Sequence, residues 1–188
     1  MKGIKDIILK GSIFAVLSAV FCVGCIPAAP LVFTVHAEEI TSETVSWSGE
    51  MTLTEENDDV TIDNGVTLNG NTTLKVAEFK TLTINGSINC NNKTLTIAGP
   101  GTVTVNGGSE IYGIYQGENV TLESGTLNVT KSDNGGITAS YVTITGGTLN
   151  VTLEGSGTGI STSEKFTITG DNRIIGLSQM AIEKREAA

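Results

Sequence analysis

The chain has 188 residues, of which 11 are Lys or Arg and 20 are Asp or Glu, so its formal net charge is −9. This acidic balance argues against nucleic acid and anionic lipid as partners, because phosphate groups are bound by clustered basic side chains. The length that remains after an export signal, described next, suits a single domain.

The first 37 residues predict a cleavable secretory signal. A positively charged start comes first, with Lys2, Lys5 and Lys10. The apolar, uncharged stretch Ile13–Val23 follows, and Val35-His36-Ala37 then places small residues where a signal peptidase cuts, just before Glu38. We therefore expect cleavage after Ala37 and a secreted protein that is extracellular or held at the cell surface.

The sequence leaves two alternatives to cleavage of this segment. An uncleaved membrane anchor needs about 20 predominantly apolar residues, whereas Gly24, Pro27 and Pro30 interrupt this one. The sequence Val23-Gly24-Cys25 also partly matches a lipid-attachment motif, so lipidation at Cys25 is an alternative. Cleavage would leave no membrane segment, and the sequence makes no prediction of oligomeric state.

Cleavage would also change the chemistry that the protein has available. It removes His36, the one histidine of the chain, together with Cys22 and Cys25. Cys90 is then the one remaining cysteine, so no intramolecular disulfide can form despite the export route. Histidine-based acid–base catalysis and histidine-ligated metal sites are excluded as well. We therefore predict that the exported protein is not an enzyme.

A short triplet of apolar residue, Thr and apolar residue recurs along the chain. Its six copies are Val60-Thr61-Ile62, Leu82-Thr83-Ile84, Leu95-Thr96-Ile97, Val120-Thr121-Leu122, Val142-Thr143-Ile144 and Phe166-Thr167-Ile168. Two longer units, VTLESGTLNVT from Val120 and VTITGGTLNVT from Val142, are nearly identical. Alternation with a period of two predicts short strands with aliphatic residues on one face and Thr or Asn on the other.

One such unit cannot bury its own apolar face, so we predict that successive units stack. Most copies lie 22–25 residues apart, which predicts an all-β right-handed parallel β-helix, or solenoid, of about five coils. An antiparallel β-sandwich is the alternative, because it also has short alternating strands and frequent turns. The step of 13 residues from Leu82 to Leu95 is too short for one coil, so one of these residues is expected on a different strand of its coil.

The repeat divides the chain into segments. Residues 38–59 lack it and contain Trp47, so we predict an N-terminal cap over the first coil. Residues 60–176 are predicted to form the solenoid. Residues 177–188 turn helix-prone and charged, which predicts either a C-terminal helical cap or the point where a longer protein has been cut short.

An acidic turn is the candidate metal site, with Asp58, Asp59 and Asp63. Carboxylates grouped in this way can hold Ca²⁺ through their oxygens, or act as acid and base in polysaccharide-cleaving β-helices. A solvated acidic turn is the simpler interpretation, because no spacing here resembles a calcium loop. Calcium is kept as a hypothesis, and no other cofactor is predicted.

Three tyrosines are the candidate ligand-binding residues: Tyr112, Tyr115 and Tyr141. Aromatic rings beside Asn and Asp side chains are a common arrangement for binding sugars. Tyr115 and Tyr141 lie about one coil apart, so the three rings are expected to share a face, with Trp47 as a further candidate. The simpler alternative is that the rings only cover the side of the solenoid.

Two further features have structural explanations. One outer column is expected to hold Thr61, Thr83, Thr121, Thr143 and Thr167, with Thr96 left unassigned because of the short step. Such threonine arrays occur in ice-binding solenoids, but Thr is also a favourable exposed β residue. Alternation points Cys90 inward beside Ile88, so we predict a core residue and not a nucleophile.

Two segments, Val120–Ile137 (VTLESGTLNVTKSDNGGI) and Val142–Ile160 (VTITGGTLNVTLEGSGTGI), resemble repeats of secreted bacterial β-helix proteins. These proteins belong to the pectin-lyase-like superfamily, and many come from Gram-positive species. The resemblance covers residues 60–176. Some members are carbohydrate-binding domain proteins that bind polygalacturonate with calcium, so it implies a polysaccharide partner. It carries over no catalytic residue, because Gly-His-Gly, Arg-Ile-Lys and a convergent Asp set are absent.

We therefore predict a non-catalytic extracellular β-solenoid module that binds polysaccharide or another cell-surface ligand. The alternative is a structural stalk, or a fragment of a larger surface adhesin, with no ligand of its own.

Overall fold

A computed structural model of the protein describes residues 37–107, 112–170, 173–175 and 182–184. The predicted signal, including Cys25, lies outside this part except for Ala37. Within the described residues the chain forms strands joined by turns and loops, and no helix is long and apolar enough to span a bilayer.

The described strands pair in parallel throughout. In chain order they are β1 (Glu38–Glu39), β2 (Ser46–Leu53), β3 (Val60–Ile62), β4 (Val66–Val76), β5 (Thr81–Ile84), β6 (Ile88–Asn89), β7 (Leu95–Ala98), β8 (Thr102–Asn106), β9 (Tyr112–Leu122), β10 (Thr126–Ser132), β11 (Gly135–Ile144), β12 (Thr148–Leu153), β13 (Thr158–Ile168), β14 (Arg173–Ile175) and β15 (Ile182–Lys184). Sheet A contains β1, β2, β4, β6, β7, β9, β11, β13 and β15, and sheet B contains the other six.

The chain passes alternately through the two sheets, and each turn adds one rung to both. From β2 to β15, residues that pair from rung to rung in sheet A lie 21–26 positions apart, as in the column Met51, Leu74, Ile97, Leu122 and Ile144. Parallel pairing with this period confirms the β-solenoid of about five turns. It also rules out the antiparallel sandwich, whereas the right-handed twist of the coil stays a prediction.

The core is a continuous stack of aliphatic side chains between the two sheets. Alternation places every second residue of a strand inside, as in β8, where Val103 and Val105 are buried and their neighbours are not. Full burial of such a side chain contributes about 1.5–3 kcal/mol before entropic costs. Stacking therefore supplies the stability that a single unit lacks.

The repeated triplets fall on both sheets. Leu82 pairs with Val60 and Val103 in sheet B, whereas Leu95 pairs with Val120 in sheet A. The prediction that the short step joins different strands of a coil is therefore confirmed.

The single threonine column that we predicted is wrong for the same reason. Thr61 and Thr83 lie in sheet B, next to Thr104. A separate column in sheet A contains Thr73, Thr96, Thr121, Thr143 and Thr167. Both sheets use the same alternation of apolar and Thr residues, so the spacing alone did not distinguish them.

On the outer face of sheet B, polar side chains bind one another from rung to rung. Asn85 Nδ2 donates to Asp63 Oδ1 at 2.9 Å. Asn106 Nδ2 donates to Asn85 Oδ1 at 2.9 Å, and Thr130 Oγ1 donates to Asn106 Oδ1 at 2.6 Å. A second ladder joins Thr104, Asn128 and Asn150. Each bond contributes about 0.5–1.5 kcal/mol, so these amides already serve to hold the stack together.

The two ends of the solenoid differ from the sequence expectation in detail. Strand β2 pairs with β4, and β1 pairs along the other edge of β2. Trp47 in β2 is fully buried, and its Nε1 donates to Thr44 O at 3.2 Å, so it is a core residue and not a sugar-stacking ring. At the other end Ile182–Lys184 form a strand where we predicted helix, and the rest of 177–188 lies outside the described residues. The caps and the segment boundaries stay predictions.

The turns from sheet A to sheet B contain one unusual backbone position. In four of these turns the residue with positive φ is a glycine: Gly99, Gly125, Gly147 and Gly170. In the turn Ala77–Lys80, which a 3.2 Å hydrogen bond from Lys80 N to Ala77 O closes, that residue is Phe79 with φ of 60°. Its side chain is 90% exposed, so burial does not compensate for the strained backbone.

Replacing Phe79 by glycine is expected to stabilise the fold. A left-handed backbone conformation costs a residue with a Cβ about 1–2 kcal/mol of folding free energy. Glycine avoids this cost, but its larger loss of conformational entropy on folding offsets about 0.5–1 kcal/mol of the gain. Phe79→Gly should raise the free energy of unfolding by about 0.5–1 kcal/mol in denaturant titrations. Phe79→Ala is the matched control, since it removes the ring but keeps the strain. An equal gain from both variants would contradict this explanation.

Candidate functional site

The register of sheet A shifts part-way along its long strands. Ile137 pairs with Ile114, but Ala139 pairs with Gly117, so β9 has one more residue than β11 at this point. Gln116, inside the extra length, has a left-handed φ of 54°. A second shift separates β11 from β13 just after Ala139. Such β-bulges bend a strand and redirect its side chains.

A groove of about 400 Å³ lies along these bulges, and we call it the main groove. Its described lining carries no charge. It contains the ring of Tyr112, the amides of Asn92, Gln116 and Asn134, and the hydroxyls of Thr138, Ser140, Thr158, Ser161 and Ser163. These side chains come from four successive rungs, so the groove runs across the strands of sheet A.

A second groove of about 180 Å³, the small groove, begins one rung earlier, at β4, and extends beside the main groove as far as β9. Its lining consists of Gly65, Val66, Thr67, Ser87, Asn89 and Tyr115. The described lining of this groove is also uncharged.

The rings of Tyr112 and Tyr115 stand between the two grooves. Their centroids are 6.2 Å apart and their planes are inclined by 31°. The backbone beneath them is fixed by the preceding rung, because Tyr115 O accepts from Cys90 N at 2.8 Å and Ser87 Oγ donates to Tyr112 O. Tyr112 is 36% exposed and Tyr115 is half-buried, so both rings can contact a ligand.

Gly135 makes room for the Tyr112 ring. The two residues pair across β9 and β11, and a Cβ on Gly135 would stand 2.6 Å from Tyr112 Cδ1. The ring therefore lies against the glycine of the next rung, where any larger residue would displace it.

The polar groups of the main groove differ from those of sheet B in one decisive respect. Within the described part of the chain, the side-chain amides of Asn92, Gln116 and Asn134 form no hydrogen bond. The amides of sheet B, by contrast, bind each other in ladders. Asn and Gln each offer an acceptor oxygen and two N–H donors, so the main groove presents unsatisfied donors and acceptors beside an aromatic ring.

The structure separates Tyr141 from the other two tyrosines. Tyr141 lies beyond the bulge, where it pairs with Asn119 and Lys165. Asn119 is four residues after Tyr115, which corresponds to about 13 Å of strand. Tyr141 is 40% exposed but lines neither groove. The expected shared face of three rings is therefore reduced to the pair Tyr112 and Tyr115, whose ligand-binding role stays a prediction.

The acidic turn has a structural role in the described residues. Asp59 Oδ1 accepts from Thr81 N at 2.8 Å, and Asp63 Oδ1 accepts from Asn85 Nδ2 at 2.9 Å. These bonds tie the first rung of sheet B to the second, while Asp58 is exposed to solvent. Across the described residues, no three acidic, Cys or His side chains converge as a metal site requires. Calcium binding at Asp58, Asp59 and Asp63 therefore stays a hypothesis, because these carboxylates do not form a preformed metal site.

Cys90 is a core residue, as the alternation predicted. It is fully buried, and this burial raises the pKa of its thiol from 9.0 to about 12. The thiol is therefore protonated at neutral pH and is not a nucleophile.

A larger but shallow depression of about 840 Å³ lies at the corner where sheet A turns toward sheet B. Its lining combines apolar side chains such as Leu53, Val76 and Pro100 with Thr52, Thr54, Glu55, Glu56 and Lys75. It is open and has no aromatic ring among its described lining residues, so it is a weaker candidate for a sugar-binding site.

Comparison with known families identifies the family of this chain. The model of a family described as carbohydrate-binding domain-containing protein matches residues 60–176, more than half of the chain. The chain belongs to this family. The matched region contains every residue that lines the main and small grooves. No curated protein and no solved structure matches the chain.

Sequence reasoning found the tyrosine pair but missed the amides of the main groove. Asn92, Gln116 and Asn134 stand in loops and bulges where alternation gives no direction. The signal that could have located Gln116 is its position directly after Tyr115 and before Gly117, since glycine often marks a bulge.

A double-mutant cycle tests the contact between Gly135 and Tyr112. Gly135→Ala should displace the ring and lower the free energy of unfolding in denaturant titrations, and the same change in a Tyr112→Ala background should have little effect. The expected coupling is about 1 kcal/mol, within the usual range for residues in contact. Equal costs in both backgrounds would show that the ring does not lie on Gly135.

Proposed function

We propose that this protein is a non-catalytic extracellular module that binds polysaccharide through the tyrosine pair and the main groove. The observation that carries the proposal is the set of unpaired amides and hydroxyls around an exposed aromatic ring. Sugar rings present hydroxyl groups that both donate and accept hydrogen bonds, and an apolar face that packs on aromatic rings. Membership of a carbohydrate-binding family supports the same ligand class.

Several finer expectations belong to this proposal. They are export after cleavage at Ala37, a right-handed coil of the pectin-lyase-like superfamily with an N-terminal cap, and a Gram-positive bacterial source. The composition supports export, because a charged start and an apolar stretch precede the solenoid.

The alternative role, a stalk without a ligand of its own, draws support from sheet B. Its polar ladders bind each other and stiffen the stack. The two roles use different faces, so a ligand-binding assay on variants of sheet A separates them.

Alanine substitution of the tyrosine pair should weaken polysaccharide binding. A glycan array, followed by calorimetry on the best ligand, measures the affinity with and without calcium. Tyr112→Ala and Tyr115→Ala should each lower it roughly tenfold, the effect of losing about 1.5 kcal/mol of ring burial.

Tyr141→Ala is the matched control for these two variants. It removes an equally exposed tyrosine that lines neither groove, so the affinity should stay unchanged. Failure of the unmodified protein to bind any glycan would leave the stalk as the remaining function. Equal losses of affinity in all three variants would show that the ligand does not bind specifically in the grooves.

A further inference from the structure

The described residues that line the two grooves are uncharged. No Lys, Arg, Asp or Glu stands among the described lining residues of either one, and the whole chain has a formal net charge of −9. A ligand carboxylate leaving water needs a cation or several hydrogen-bond donors to replace its hydration. An acidic ligand would meet neither a basic side chain in the walls nor a favourable long-range field.

A bridging metal ion is the usual means by which an acidic surface holds an acidic ligand. Such an ion needs several oxygen ligands from the protein, commonly carboxylates. Among the described residues no three acidic, Cys or His side chains converge on one point. Asp59 and Asp63, the nearest carboxylates in our sequence interpretation, are already bonded to Thr81 and Asn85.

The grooves also share a direction. The lining of the small groove includes Thr67 in β4, its first strand, and that of the main groove includes Ser161 and Ser163 in β13, its last strand. In sheet A these strands are four rung steps apart, through β6, β9 and β11. At about 4.8 Å per step this is roughly 19 Å along the solenoid axis.

The tyrosine pair joins the grooves near the middle of this distance. Tyr115 lines the small groove, Tyr112 lines the main groove, and their ring centroids are 6.2 Å apart. A ligand that contacts both rings therefore reaches into both grooves.

We propose that the two grooves form one continuous track for an uncharged, linear glycan that lies parallel to the solenoid axis. This inference rests on the proposed function and adds the charge class, the orientation and the length of the ligand. The tyrosine pair binds the centre of the glycan chain. The amides and hydroxyls of successive rungs bind its hydroxyl groups on both sides of that centre.

Calorimetry with matched oligosaccharide series tests the charge class. The probes are neutral gluco-, manno- and xylo-oligosaccharides and the acidic oligogalacturonates, each from disaccharide to octasaccharide, with EDTA or with calcium. At least one neutral series should bind with an affinity that changes little between low and high ionic strength, because no charge pair is involved. Oligogalacturonates should not bind under either condition. Binding of the acidic series alone would overturn the inference and leave the proposed function standing, whereas binding of neither series would overturn both.

The same series tests the length and the orientation. Affinity should rise with chain length and level off once the glycan spans both grooves. Thr67→Val and Ser161→Ala each remove one hydroxyl near opposite ends of the track. Each should weaken the longest ligands about threefold to tenfold, the effect of one lost hydrogen bond, and leave the shortest ligands unaffected.

Thr143→Val is the matched control, because Thr143 lies in sheet A but lines neither groove. It should leave the affinity for every length unchanged. An affinity that does not depend on length, or end variants that behave like the control, would show that the ligand does not follow the axis.

Discussion

Parallel hydrogen bonding between successive rungs determines where every side chain of this solenoid lies. Leu82 is held between Val60 and Val103, and each inward aliphatic residue is stacked on a similar one in the same way. The same register aligns outward residues, which is why Asn106 reaches both Asn85 and Thr130. Since a shift by one residue would turn a strand's apolar face outward, the register is protected by the burial of the whole core. The core and the surface pattern therefore have one common cause.

The candidate site lies where this regular register is interrupted. An extra residue in β9 interrupts the strict alternation at Gln116, and Asn92 and Asn134 lie in the loops beside it, so none of these three amides is aligned with a partner on the neighbouring rung. On sheet B, where the register is regular, the corresponding amides donate hydrogen bonds to the preceding rung and so stabilise the stack. The polar side chains of the solenoid therefore fall into two groups. Those of the sheet B ladders stabilise the stack, whereas those beside the bulges of sheet A keep free hydrogen-bonding groups.

Much of the fold follows from the sequence, because alternation and period are local and repeat. They predict the parallel solenoid, the inward position of Cys90 and the change of strand between Leu82 and Leu95. The site is less accessible to such reasoning. Tyr141 departs from the tyrosine pair because it follows Tyr115 by 26 residues, whereas residues that pair between β9 and β11 lie only 22 or 23 positions apart. The repeat period read from the sequence, 22–25 residues, is too coarse to show this difference of three to four residues. Trp47 has the same alternation as Met51 and Leu53 in β2, so the strand pattern already contained the signal for its burial.

The most direct test of the account is to observe which backbone amides respond when an oligosaccharide binds. Amide chemical shifts measured by NMR during titration with the tightest-binding glycan report this for each rung. We expect the changes to centre on Gln116, Gly117 and Ala139, at the bulges beside the tyrosine pair, and the amides of Thr104 and Asn128 in sheet B to stay unchanged. Changes confined to sheet B, with none at the bulges, would contradict the assignment of the ligand to sheet A.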